Sequence, residues 1–144
     1  MGRTDSGLER TPDGRRLVVS RTIDAPAADA WGLLTDTGRW PEWGPSVRAV
    51  ESSQRVIDGE TTGRVRLPGG IWLPFEITSC LVRRWTWEVA HISATGHFVE
   101  ERDDGCRVGF ELPVLASGYA PVCVRALGHI ERLLTEAKRA ESEN

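Results

Sequence analysis

The spacing of hydrophobic and polar positions changes along this chain and divides it into a strand, short helices, a run of strands and a long helix. Residues 15–23 (RRLVVSRTI) are rich in β-branched side chains and predict a first strand. Asp24 then offers a helix N-cap and Pro26 a first-turn residue, so residues 27–34 (AADAWGLL) predict a short helix. The polar break TDTG at 35–38 ends it. Residues 39–43 (RWPEW) predict a second helical turn, stopped by Gly44-Pro45.

Strand texture follows over residues 46–52, 61–67, 71–81, 84–91, 94–102 and 106–113, with turns at Pro68-Gly69-Gly70 and Asp104-Gly105. Beyond Ser117-Gly118 the spacing becomes helical, with Pro121 in the first turn. Tyr119, Cys123, Ala126, Ile130, Leu133 and Ala137 recur every three or four residues, and Val122, Leu127 and Leu134 widen the stripe. Strands segregated from helices predict an α+β fold with a mainly antiparallel sheet. A strongly curved sheet wrapped on the long helix satisfies both faces. Residues 1–13 are polar and predict a flexible arm, residues 140–144 a frayed end, and residues 14–140 a single domain.

Hairpin arithmetic assigns side chains to faces, because directly opposed residues share one. A two-residue Asp104-Gly105 loop sets Val99 opposite Phe110 and His97 opposite Leu112, on an apolar face shared with Val108. A Gly69-Gly70 loop sets Leu67 opposite Trp72 and Gly63 opposite Glu76, so Trp72 and Glu76 are expected to share the inner face. In the next strand Trp85, Trp87, Val89 and His91 alternate with Thr86, Glu88 and Ala90.

Composition narrows the picture. At 144 residues, 40% hydrophobic and 27% charged, the chain is long enough for one full core and is neither a disulfide scaffold nor a coiled coil. The net charge of −3 comes from 18 basic and 21 acidic residues, and no basic run interleaves with aromatics, so nucleic acid is not an expected partner. Cys80, Cys106 and Cys123 lack zinc or disulfide spacing, and reduced thiols fit a cytoplasmic protein. No metal or cofactor is expected. The N-terminus has no apolar signal region, and no apolar run reaches the length of a membrane span. The unusual feature is six Trp beside three Phe and one Tyr. Such large rings must fill a core or line a pocket.

His97 is the leading candidate for acid–base chemistry on the inner face, with Glu76 as its assistant. Trp72, Trp85, Trp87, Val99, Phe110 and Leu112 on the sheet are the candidate pocket wall. Tyr119, Val122, Cys123, Ala126 and Ile130 on the helix face them, with Trp43 at the mouth. No nucleophile elbow accompanies the histidine.

The order of elements resembles the helix-grip fold of the START-like SRPBCC superfamily, which includes the polyketide cyclase/dehydrases. The carriers of the resemblance are VSRTIDAPAADAW entering the first helix, the W-P-E-W turn at 40–43, RRWTW at 83–87 and the hairpin G-H-F to D-G-C-R-V at 96–108. The resemblance implies about seven antiparallel strands gripping the C-terminal helix, with a cavity between them that takes a small hydrophobic molecule such as a lipid, polyketide or aromatic. Carriage of that molecule is the leading expectation. A cyclase, aromatase or dehydratase using the same cavity, and a protein-interaction module of the chaperone-activator type, are the alternatives, and the reading admits a homodimer.

Overall fold

Strand β2 (Gly14–Ile23) carries its apolar residues inward, and the chain then turns into helix α1 (Ala27–Thr35) and the short α2 (Trp40–Trp43), with a 3-10 turn, Thr37–Arg39, between them. Strands β3 (Ala49–Ser52), β4 (Thr62–Arg66), β5 (Trp72–Leu81), β6 (Arg84–Val89), β7 (Ile92–Arg102) and β8 (Gly105–Leu112) follow. A 3-10 segment, Val114–Tyr119, leads into the long helix α3 (Ala120–Ser142). The computed structural model describes residues 3–143.

The residues expected to form a flexible arm are instead strand β1 (Thr4–Thr11), paired in continuous antiparallel register with β2. Arg21 donates to the Thr4 hydroxyl at 2.8 Å, and Arg107 pairs with Glu9 at 2.7 Å. An edge strand exposed on most of its length needs no apolar alternation, so its sequence looks like loop. The rest of the expected arm, Met1 and Gly2, lies outside the described residues, as does Asn144 of the expected frayed end. Residues 140–142 continue α3.

The sheet has eight strands in the order β1-β2-β8-β7-β6-β5-β4-β3, each neighbouring pair antiparallel, one strand more than expected. Helix α3 buries Cys123, Ala126, Leu127, Ile130 and Leu134 against β2 and β8, with α1 and α2 alongside. Asp24 does not cap α1. Pro26 occupies the cap position without a side-chain bond, and Asp24 pairs with Lys138 of α3 at 2.9 Å.

Both hairpin registers differ from the sequence arithmetic, with different consequences. In β7–β8 the turn lies one residue earlier, so Val99 opposes Val108 and His97 opposes Phe110. A shift of two in the pairing sum leaves every side chain on its expected face. In β4–β5 the loop is Pro68-Gly69-Gly70, both glycines at positive φ (97° and 92°), and Arg66 opposes Trp72 while Thr62 opposes Glu76. That shift of one exchanges the faces. Val65, Leu73, Phe75 and Ile77 point inward, and Trp72 and Glu76 point out.

Candidate functional site

The inner face holds one aromatic cluster, built from α2, β5, β6, β7 and β8. Trp40 of α2 stacks on Trp85 of β6 at 5.3 Å and 6°, and meets Trp87 and Phe75 edge-on or tilted at 5.4 Å each. Trp43 stacks on Phe110 at 5.9 Å. The W-P-E-W turn can bury both rings because each indole N–H finds a carbonyl at the end of α1. Trp40 Nε1 donates to Leu34 O at 2.9 Å and Trp43 Nε1 to Leu33 O at 3.2 Å. Pairs of this kind each add about 0.5–1.5 kcal/mol beyond the burial itself. Trp31 is half-buried at the edge of the same core.

His97 sits inside this cluster, 3% exposed, its ring 3.7 Å from that of Trp85. Its Nδ1 lies 3.4 Å from the Trp85 carbonyl, and its Nε2 lies 2.9 Å from Thr95 Oγ1. The carbonyl can only accept, so Nδ1 carries the hydrogen and the Thr95 hydroxyl donates to Nε2. Thr95 in turn accepts from Trp87 Nε1 at 3.1 Å. Burial pushes the imidazole down to about 3, partly offset by the Trp85 carbonyl and assisted by the positive charge of Arg84. The ring is therefore neutral at physiological pH with both nitrogens engaged. Glu76 is exposed on the opposite face of the sheet and is not brought to His97.

Two adjacent spaces lie between the sheet and the helices. The inner one, about 50 Å³, is walled by Trp43, Trp85, Trp87, His97, Phe110 and the α3 residues Val122, Cys123 and Ala126. Aromatic side chains nearly fill it, and burial raises the Cys123 thiol to about 12, so that sulfur is an inert wall. The outer one is an apolar groove of about 360 Å³, walled by Val65, Leu67, Leu73, Val89 and Leu112, with Ala116 and Tyr119 on its helical side. Ser46, Val47, Trp87, Thr95 and Tyr119 border both spaces, and the Tyr119 hydroxyl donates to Ser46 Oγ at 2.8 Å where they meet. The groove lies beside the part of the inner face that α3 covers: α3 packs on β2 and β8, while over β5 and β6 the short α2 sets only Trp40 on Phe75, Trp85 and Trp87.

Of the residues expected from sequence, Trp43, Trp85, Trp87, His97, Phe110, Tyr119, Val122, Cys123 and Ala126 meet at the inner space, and Leu112 joins the groove. Val99 and Ile130 are buried core residues that line neither space. Trp72 lies on the outer face, with the Arg64 guanidinium 4.4 Å above its ring. Sequence reasoning missed Val47, Val65, Leu67, Leu73 and Thr95. The alternation Arg64-Val65-Arg66-Leu67 carried the signal for two of them, since it fixes which side of β4 is apolar whatever the partner register.

An open antiparallel sheet gripping a long C-terminal helix, with an apolar groove between sheet and helical segment, defines a helix-grip fold of the ligand-binding kind. The chain belongs to the polyketide cyclase / dehydrase and lipid transport family, whose model matches residues 15–138 and so leaves β1 outside the match. Solved structures share the fold at low identity. XoxI from Bacillus cereus is 12% identical, with a TM-score of 0.66 over 85% of this chain and 97% of its own. Ms6760 from Mycobacterium smegmatis is 17% identical, with a TM-score of 0.62 over 94% and 99%. The solution structure of CalU16 from Micromonospora echinospora is 18% identical, with a TM-score of 0.58 over 93% and 74%. Among curated proteins, none matches the sequence. No helix among the described residues is long and apolar enough to cross a membrane.

Proposed function

We propose that the protein binds and carries a small, mainly apolar molecule in the groove over β4, β5 and β6. The observation that carries this reading is the groove itself, about 360 Å³, with mainly aliphatic walls and four hydroxyl residues, Ser46, Ser93, Thr95 and Tyr119, in its lining. Its volume falls within the range of small-molecule sites, and a few placed polar groups in an apolar wall are the usual means of orienting a ligand. The family's description, which pairs lipid transport with polyketide chemistry, supports the same class of ligand. The three unpaired thiols suit a reducing compartment such as the cytoplasm.

The enzyme alternative has weaker support. Both His97 nitrogens are already engaged and Glu76 is on the other face, so a catalytic role for this pair would need a rearranged pocket.

The test is a native mass-spectrometry and tryptophan-fluorescence titration with fatty acids and aromatic polyketides, repeated on Leu73→Trp, which fills the groove. Binding of one class, weakened about tenfold or more by the filled groove, supports the reading. No binding of either class, or binding that Leu73→Trp leaves unchanged, overturns it.

A further inference from the structure

We infer that the end of the molecule where the groove opens docks on an anionic lipid bilayer, an inference that rests on the groove taking an apolar ligand. The sheet is antiparallel throughout, so the starts of β2, β5 and β7 lie at the same end as the finishes of β4, β6 and β8. The residues walling the outer groove are drawn from these termini: Leu67 after β4, Leu73 on β5, Val89 on β6, Ser93 on β7 and Leu112 on β8.

Beside those residues, three separate turns project apolar side chains into solvent. Ile71 precedes β5, Ile92 opens β7, and Leu115 stands fully exposed next to the groove residue Ala116. At this end the exposed tips adjoin an apolar groove, whereas Leu81 and Val82, exposed at the β5–β6 turn of the opposite end, do not, so the tips count here only together with the groove and with the charge beside them.

Charge at the same end selects the partner. Arg15, Arg16, Arg48 and Arg66 lie at or next to the strand termini there, and none forms an ion pair among the described residues. Of the acids nearby, Asp13 and Glu111 are committed to Arg84 and Glu9 to Arg107, while Glu76 and Glu88, opposed across β5 and β6, make no ion pair among the described residues. At the opposite end the balance of unpaired charge is acidic, although Arg3 before β1 and Arg139 near the end of α3 also make no ion pair among the described residues. There Arg55 is held by Asp36, Arg83 by Glu101 and Lys138 by Asp24, while Glu60, Asp103 and Asp104 make no ion pair among the described residues. A chain of net charge −3 thus turns free guanidinium groups toward the side where its groove opens. Discrete apolar tips interleaved with arginines suit a fluid interface of acyl chains and anionic headgroups, which accepts separate side chains without a matching contour. Docked this way, the groove mouth faces the acyl layer, and an apolar ligand enters without crossing water.

The experiment is co-sedimentation of the full chain with phosphatidylcholine vesicles, with and without phosphatidylglycerol, beside an apolar-dye titration in vesicle-free solution. Wild type is expected to bind the phosphatidylglycerol vesicles and to be released by salt. The pair Ile92→Glu and Leu115→Glu should weaken binding about tenfold or more, and Arg48→Gln with Arg66→Gln about twenty-fivefold, near fivefold for each basic group at an anionic surface. Dye binding in solution should be unchanged in both variants, since none of the four residues walls the groove. The inference is overturned by absence of wild-type binding to anionic vesicles, by equal binding to neutral ones, or by full binding of the glutamate pair. It is also overturned by self-association that the glutamate pair abolishes without any vesicle binding, which would assign the tips to a protein interface. Loss of dye binding in the wild type would strike the ligand-binding reading instead, independently of the vesicle result.

Discussion

The imidazole of His97 lies almost flat on the Trp85 indole, 3.7 Å between centroids and 15° between planes, while its Nδ1 faces the carbonyl of that same tryptophan. One residue thus supplies both the stacking surface and a hydrogen-bond acceptor. This makes His97 a structural member of the aromatic core and gives stability a specific pH dependence. In the unfolded chain the ring takes a proton near pH 6.5, and in the folded chain only near 3. Between those values the unfolded state holds more protons, so stability falls as the pH drops below about 6.5 and is regained as it rises. The slope from this group approaches roughly 1.4 kcal/mol per pH unit. Carboxylates held low by arginine, such as Asp36 by Arg55 and Glu42 by Arg39, add their losses only at lower pH. Urea titrations between about pH 5 and 7 should therefore show the slope in wild type and a much flatter profile in His97→Phe. His97→Ala should cost about 2–4 kcal/mol, from the cavity and from the stranded Thr95 hydroxyl.

How far the sequence could reveal this arrangement depended on which error each hairpin tolerated. The inner faces of β7 and β8 were readable although the register differed, because a displacement of two in the pairing sum keeps parity and leaves His97, Val99 and Phe110 where alternation places them. The β4–β5 loop allowed no such margin. Two glycines at positive φ take up one residue more than a tight hairpin, and Trp72 and Glu76 leave the pocket together. The union of Trp40 with Trp85 and Trp87 is a contact between α2 and β6, distant in sequence, and no local pattern encodes it. Likewise, Thr95 becomes a partner of His97 through side-chain geometry that residue spacing leaves undetermined.

Gly109 makes room for a ring. It opposes Phe98 across β7 and β8, and a Cβ placed there would collide with the Phe98 ring, over which the Arg107 guanidinium sits at 5.0 Å. Gly109→Ala should destabilise by about 2–3 kcal/mol, as expected for forcing atoms into a packed site. Combining it with Phe98→Leu should restore part of the loss, a coupling measurable by a double-mutant cycle in urea.

Strand β1 lies outside the family match yet covers the edge of β2. Removing residues 1–12 would deprive Arg21 of Thr4 and Arg107 of Glu9, and expose an edge that carries Val18 and Val19. The truncated chain should still fold, at a cost of roughly 1–3 kcal/mol. It should also show concentration-dependent association through the uncovered edge in size-exclusion chromatography. An unchanged melting temperature with no association would show that β1 contributes nothing to the domain.

Tyr119 borders both spaces, and its hydroxyl donates to Ser46, which borders both as well. The bond ties the start of α3 to the loop before β3, closing one side of the groove. Tyr119 is 40% exposed, so the bond contributes at most about 1 kcal/mol to the fold. Tyr119→Phe keeps the ring and removes only the tie. Its melting temperature should stay within about 3 °C of wild type. If the groove fills as proposed, a ligand that must part this junction will enter and leave faster in the variant, while its equilibrium affinity changes little because the apolar walls are intact. Stopped-flow tryptophan fluorescence can follow this through Trp87, which lines both spaces. Ser46→Ala should give the same acceleration, and the double variant no more than either alone. Additive acceleration in the double variant would show that the two side chains act separately and that their bond is not the gate.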